Sequence, residues 1–426
     1  MKVAGVIAEF DPFHNGHAFF LRRVRELTSA DFIIAVMSGD YTQRGNPAMA
    51  GKRWRTEAAL INGADIVIEL PVQYATASAE PFALGGVSIL ESLGCVDVLC
   101  FGTEEQDMEM LREASEILCD ETDELKERLG GYLREGMNYP AARAKAVSDL
   151  LLSSGAHGSD RITDIMSGPN NILAMEYLKA LGRLGSSMDT LNVKREAVDH
   201  DSVNTYGIYS SAGNIREILK TTGSVDAVSA FLPENTVPLM REHFGVDIPV
   251  FADDLSMLVK YRLLMESGES LMQYADMSAD LARRIMNKRN EYISLSQFTE
   301  LIKTKNLTYT RIARALLHML LSVKKDDMKE YASSGYVGYA RVLGFAERAS
   351  ALLDDMCKKA SIPVITRTAE YRKKLDGPFR RMYEDDLRAS DIYHCIVKDI
   401  YDTDITPDIS AAAYMTEHGK VSCRLL

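Results

Sequence analysis

Cysteine is sparse and unpatterned in this 426-residue chain: Cys95, Cys100, Cys119, Cys357, Cys395 and Cys423 stand far apart, without a CxxC pair. That excludes a zinc framework and a disulfide scaffold, suits a reducing compartment, and leaves these residues as small buried hydrophobes. No apolar run approaches membrane-spanning length, so no membrane association is expected. Met1-Lys2 leads directly into a strand-like stretch without signal-peptide architecture, which points to the cytoplasm. Internal repeats and low-complexity linkers are also lacking. Positive charge is in deficit, with a formal net charge of -12, which argues against general nucleic-acid affinity. The deficit is local, however. Residues 103–128 carry eleven acids and three bases, a balance of -8, which leaves -4 for all the rest. A basic face elsewhere is therefore compatible with the total.

What is present is an alternation of apolar runs and helical stretches. Val3–Ala8, Phe32–Met37, Asp65–Leu70 and Val96–Phe101 read as strands, with helices over Lys52–Asn62 and Pro81–Leu93 between them. Continuous apolar strands separated by helices predict a parallel sheet covered on both faces. From 103 to about 163 the pattern turns helical and acidic, as in an insertion. Pro169-Asn170-Asn171 then opens a helix that Gly182 could stop, Thr190–Arg195 reads as a strand, and Ser211 precedes another helix. Beyond about residue 224 amphipathic helices follow one another, Tyr309–Val323 among them. The expected architecture is α/β: a Rossmann-like parallel-sheet domain over 1–224 with a helical acidic insertion, then an all-α C-terminal domain over 225–426.

Histidine is scarce, with eight in the chain, yet His14 and His17 stand three apart where the first strand ends, in FDPFHNGH. On a first helical turn they would face the same way, beside backbone N–H groups and the positive end of the helix dipole. Gly16 between them would let a ligand approach the backbone. Imidazoles and amides together suit a phosphate that gains negative charge during reaction. Zinc would want an HExxH-like helix with a glutamate partner, which is absent here, so no protein-held metal is expected. The simplest alternative is a helix start with two capping histidines.

FDPFHNGH resembles the HxGH signature of the nucleotidyltransferase superfamily. The wider set GVIAEFDPFHNGH, VMSGDYTQRGNPA, ADIVIELP, PNNILAMEYLKAL and TYTRIARALLHMLL is similar to the bacterial tRNA(Met) cytidine acetate ligase family. The resemblance implies a Rossmann-like nucleotidyltransferase fold and a two-step ligation. Acetate attacks ATP to give acetyl-adenylate, and the exocyclic amine of the wobble cytidine of elongator tRNA(Met) then takes the acetyl group. It implies ATP, with Mg2+, as substrate, acetate and tRNA as the other partners, and no protein partner. His14 and His17 would be catalytic. The ATP signature would run through Ile7-Ala8-Glu9-Phe10-Asp11-Pro12-Phe13-His14-Asn15-Gly16-His17-Ala18-Phe19-Phe20, joined by Gly102, one of Asn170 and Asn171, and Arg195. Ser211 and Arg216 fit a helix N-terminus holding the leaving phosphates. Two positions depart from the family pattern: Asp11 stands where Asn is frequent, and Gly213 where Thr is usual.

Among the remaining charges, Arg44 lies on the polar loop after the second strand, within reach of phosphate or RNA. Lys52 or Arg53 could close over a triphosphate, Glu69 reads as a turn residue, His200, in the His200-Asp201 pair after the last expected strand, could line the site, and His318 reads as packed. Arg283, Arg284, Arg311 and Arg314 form basic clusters on helices, suited to an RNA backbone or to a solvated helix face. A small-molecule adenylyltransferase and a catalytically inactive nucleotide- or RNA-binding protein are the rival readings.

Overall fold

The computed structural model describes residues 1–105, 107–120, 122–137, 139–154, 162–166, 168–195, 207–417 and 420–422. The sheet begins with β1 (Val3–Ala8), followed by helix α1 (Asn15–Thr28), then β2 (Phe32–Ser38), α2 (Lys52–Ile61), β3 (Ile66–Leu70), α3 (Ala79–Ser92) and β4 (Val98–Thr103). The acidic segment is helical as expected, with helices Met108–Asp120, Asp123–Arg134 and Tyr139–Ser154. Next come α4 (Pro169–Leu184), β5 (Asp189–Lys194) and α5 (Ala212–Thr222). Helix α4 runs past Gly182 and ends at Gly185, which takes the left-handed conformation at φ 63°. The second half holds α6 (Ser256–Met265), α7 (Ala279–Lys288), α8 (Leu295–Ile302), α9 (Tyr309–Leu321), β6 (Ala340–Ala346), β7 (Val364–Ile365), α10 (Gly377–Tyr401), β8 (Tyr414–Glu417) and β9 (Lys420–Ser422).

Strand order is β5-β4-β1-β2-β3-β6-β8-β9, with β7 also paired to β6. β1 to β5 are mutually parallel; Val3 faces Phe32 on one side and Ala4 faces Val98 on the other. The connections therefore wind outward in both directions from β1, and the crevice between the carboxyl ends of β1 and β4 is a topological switch point, where open α/β sheets bind ligands. Leu99, Phe101, Phe82 and Tyr177 pack on the α3–α4 face, whereas Val6, Leu21, Trp54 and Ile215 pack on the α1–α2–α5 face. Both faces are thus apolar, which is why the strands read as continuous hydrophobic runs.

The second half is mainly helical as expected, and α6 to α9 close around their own core of Val259, Leu281, Phe298 and Leu316. It is not all-α, however. β6 pairs antiparallel with β3, placing Ile66 opposite Phe345, and β8 and β9 extend the same sheet. A cut at the expected boundary, 224/225, would leave one sheet shared between the two halves: β3 would otherwise expose an apolar edge, and the late strands cover it. Among the described residues no helix is long and apolar enough to cross a membrane. The five described cysteines are free thiols.

A buried ionic cluster fastens these late segments to the early ones. Lys52 Nζ, at the start of α2, donates to Glu69 Oε1 at 2.7 Å, Ser390 Oγ at 2.7 Å and Asp408 Oδ2 at 2.8 Å. Arg341 in β6 binds both oxygens of Asp408 at 2.8 Å and lies 2.9 Å from Glu69 Oε2. Lys52 is thus not available to close over a triphosphate, because carboxylates of β3 and of the C-terminal segment hold it in the interior. Arg53 stacks on the Tyr414 ring instead.

Candidate active site

The loop after β1 turns sharply into α1. Phe10 adopts a left-handed backbone, at φ 52°, and its ring packs 5.0 Å from both Phe13 and His17. His14 is the N-cap of α1: its Nδ1 accepts from the Gly16 N–H at 3.0 Å, while His17 Nδ1 accepts from the His14 N–H at 3.3 Å. The two rings stack with centroids 3.8 Å apart. Because each Nδ1 is an acceptor, Nε2 carries the proton in each neutral ring. Capping and a site role are therefore not alternatives, since the caps fix the tautomers. The free amides expected at this turn are otherwise engaged. Gly16 N–H is held by the His14 ring, and the His17 and Ala18 N–H groups point to the His14 carbonyl at 2.9 and 3.2 Å. The turn offers imidazoles and a helix dipole rather than an amide cradle. A Cβ on Gly16 would lie 2.8 Å from His14 Cε1, so the glycine admits the folded-back ring.

These histidines line a cavity of about 220 Å³ at the switch point. Ser211 and Arg216 of α5 face it from the other side, with Gly102 of β4, Asn170 of α4 and Arg195 after β5. Ser211 caps α5 through the Asn214 N–H at 3.1 Å. Arg216 Nη1 donates to the Asp11 carbonyl and pairs with Asp11 Oδ2 at 3.3 Å, while Asp11 Oδ1 accepts the Met49 N–H at 2.7 Å. An aspartate at position 11 therefore contributes an ion pair to Arg216. Arg195 donates to Asn170 Oδ1 at 3.2 Å; burial pulls its pKa down, and Glu104 opposes that. Lining cations Arg44, Lys194, Arg195 and Arg216 outnumber the carboxylates Glu9 and Asp11 four to two. In a chain of net charge -12 this is a cationic concavity, suited to a polyanion.

A sequence model of the HIGH nucleotidyl transferase family matches residues 1–407. A protein of Acetivibrio thermocellus named tRNA(Met) cytidine acetate ligase is 38% identical over 397 residues, covering 92% of this chain and 94% of its own. A namesake from Clostridium kluyveri is 37% identical over 402 residues, covering 94% of this chain and 96% of its own. The chain belongs to the tRNA(Met) cytidine acetate ligase family. Crystal structures of Thermotoga maritima TmcAL agree: the apo form superposes with a TM-score of 0.92 at 31% identity, covering 98% of this chain and 100% of that one. The form bound with alpha-thio ATP gives 0.90 at 30% identity, covering 97% and 100%. As a member of this family the chain is a ligase.

The structure separates the expected site residues of this ligase. Ile7, Ala8, Glu9, Phe10, Asp11, His14, Gly16, His17, Phe19 and Phe20 line the cavity, with Arg44 at its exposed rim. Pro12, Phe13, Asn15 and Ala18 are not in its wall. Phe13 is core, and Asn15 Nδ2 ties α1 to the carbonyls of Ile208 and Ala230 at 2.9 and 3.0 Å. Of the two asparagines, Asn170 faces the cavity, whereas Asn171 is buried, accepting the Glu104 and Glu105 N–H groups at 3.0 Å. Glu69 and His318 are internal: Glu69 holds Lys52, and His318 Nε2 lies 3.1 Å from Thr76. His200 and Asp201 lie outside the described residues. The sequence reading passed over Thr42, Gln43, Phe82, Phe101, Leu173, Tyr177, Lys194 and Tyr209, all of which line the cavity. Phe101 and Tyr177 read as ordinary core, but their positions at the β4 carboxyl end and the middle of α4 are the available signal. Among the described residues no group of three or more His, Cys, Asp or Glu is placed to hold a metal.

Proposed function

We propose that this ligase activates acetate with ATP as acetyl-adenylate and acetylates N4 of the wobble cytidine of elongator tRNA(Met) in the cytoplasm. One observation carries the reading. The stacked His14–His17 pair at the α1 N-terminus faces Ser211 and Arg216 of the α5 N-terminus across one cationic cavity. Two helix dipoles, Nε2–H donors and guanidinium groups there match a triphosphate bent around its α-phosphorus. An acetate oxygen attacks that phosphorus, and pyrophosphate departs with the P–O electron pair; the site's work is positioning and charge stabilisation. Mg2+ arriving with ATP would supply neutralising charge for the leaving pyrophosphate; among the described residues no group of three or more His, Cys, Asp or Glu is placed to hold it. The names carried by relatives at 38% and 37% identity, and the alpha-thio ATP bound by TmcAL, support the same reading. Nucleoside mass spectrometry of tRNA incubated with the protein, ATP and labelled acetate tests it directly: labelled N4-acetylcytidine is expected, and its absence rejects the proposal.

The tight contact between Gly16 and the His14 ring gives a local check. Gly16→Ala must swing that ring aside. Acetate-dependent pyrophosphate exchange is expected to fall about tenfold to a hundredfold, the cost of a misplaced catalytic group.

For tRNA the helical half supplies the basic candidates, and the structure narrows them. Arg314 turns inward onto Asp276, at 2.7 Å, and Arg284 Nε donates to the Ile302 carbonyl. Arg283 is exposed and Arg311 half-exposed, so these two carry the phosphate-contact reading, with Arg44 at the cavity rim. Removing either charge, as Arg283→Gln or Arg311→Gln, is expected to flatten the log-affinity versus log-salt slope for tRNA by about 0.7 to 0.9. Filter binding across a salt series measures it; unchanged slopes would move the RNA face elsewhere.

A further inference from the structure

The cavity has two chemically different walls. His14, His17 and Arg216 line the α1–α5 side, whereas Ile7, Phe82, Phe101, Leu173 and Tyr177 form an aromatic and aliphatic wall on the α3–α4 side, where Arg195 is tied to Asn170 at the start of α4. The Phe101 and Tyr177 rings are 5.7 Å apart and tilted by 39°. Beside them, one residue past β1, stands Glu9, whose Oε1 accepts the Gln43 N–H at 2.6 Å. A carboxylate here is out of place beside a triphosphate, because it repels phosphate and costs desolvation. A group so placed wants a neutral ligand with N–H donors and a flat apolar body.

We propose that this corner is the cytosine site: Phe82, Phe101 and Tyr177 enclose the unstacked base, and the Glu9 carboxylate accepts its N4 amine. The assignment rests on the ligase reading above and deepens it. Cytosine offers N4–H donors that a glutamate reads, whereas uracil would bring its O4 lone pairs against the carboxylate. Aromatic walls are the usual receptacle for a base taken out of its stack. The same contact completes the transfer. The N4 lone pair attacks the acetyl carbon of acetyl-adenylate and the C–N bond forms. The C–O bond to AMP breaks with its electron pair, and an N4 proton passes to Glu9 and then to water.

Electrostatics suit that role. Burial lifts the Glu9 pKa above the usual carboxylate range, and Asp11 adds to the rise. The Gln43 N–H, Arg216 and Arg44 oppose it. Tyr177 stays a neutral phenol, raised by burial and by Glu9 itself, while His14 and His17 stand on the facing wall. A base must be ionised to accept a proton, so transfer falls on the acid side as Glu9 protonates.

Single-turnover transfer from preformed acetyl-adenylate to tRNA, followed across pH, tests the assignment without the activation step. Glu9→Gln is expected to slow transfer by about a hundredfold or more and to lose the acid limb, with partial recovery in Glu9→Asp. Leu173→Trp, at a half-buried wall position, fills the corner and is expected to raise the KM for tRNA about tenfold or more. It decides the matter should thermal melting show Glu9→Gln to be unfolded. Transfer by folded Glu9→Gln within about threefold of the parent, or an unchanged acid limb, overturns the assignment. So does an unaltered KM in Leu173→Trp. Failure of the parent protein to acetylate tRNA from the adenylate overturns the ligase reading itself, a different result from either variant's.

Discussion

His14→Ala and His17→Ala are each expected to lower acetate-dependent ATP–pyrophosphate exchange by about tenfold to a thousandfold, the range for removing one preorganised charge-stabilising donor. Each ring's Nδ1 is committed to the backbone of the same turn, which leaves Nε2 as the donating nitrogen. The rings also hold each other, with His17 accepting from the His14 N–H and the faces 3.8 Å apart. Removing either ring therefore disturbs the other, and the double variant is expected to lose less than the product of the two single losses. Loss of the His14 cap costs about 1 kcal/mol of helix stability, so the variants stay folded. Exchange kinetics beside a thermal melt measure both quantities. Full exchange activity in a natively melting variant would remove the histidine pair from the mechanism.

Lys52→Met is expected to cost about 3–5 kcal/mol of stability, the penalty for leaving buried charges without their counter-ion. Lys52 is 2% exposed, and its loss would strand Glu69 and Asp408 on a single remaining cation, Arg341. Denaturant unfolding of parent and variant gives the difference, and a loss below about 1 kcal/mol would show that the cluster contributes no net stability. The cluster also carries a pH signature. Burial alone would raise the pKa of Asp408, but Arg341 and Lys52 hold it well below the usual carboxylate range. Its contribution is thus complete above the unfolded-state carboxylate pKa and disappears as pH falls through the depressed folded-state value.

Much of this was legible in the sequence. Val3–Ala8 and the runs near residues 32, 66 and 98 are apolar enough to be largely buried strands, and they are; the run near 189 is a strand as expected, but an edge strand with exposed ends. The HxGH turn was legible because strand, turn, glycine and helix follow one another without a gap. What escaped was set by partners far along the chain. Lys52 has the look of a phosphate-binding lysine until Ser390 and Asp408, 338 and 356 residues away, meet it in the interior. β6 carries Arg341 amid its apolar residues, and nothing local announces that Asp408 will neutralise it. Arg314 reads as a solvated cation until Asp276 turns it inward. The aromatic wall escaped for the opposite reason: Phe82, Phe101 and Tyr177 satisfy core patterning perfectly well, and only the strand order shows that they stand at a crevice.

The sheet pairing has a consequence for how the chain is made. β3 ends at Leu70 and its neighbour β6 starts at Ala340, so 270 residues (340 minus 70) leave the ribosome before the two can meet. At about 5–20 residues per second, that edge of the nascent sheet stays open for roughly 15 to 55 s. The five parallel strands can assemble first, but they then wait with an apolar border exposed, the kind of border on which chains join one another. Protein stalled in synthesis anywhere between those points is the aggregation-prone species, and a holding chaperone acting in that interval would raise yield more than one acting after release.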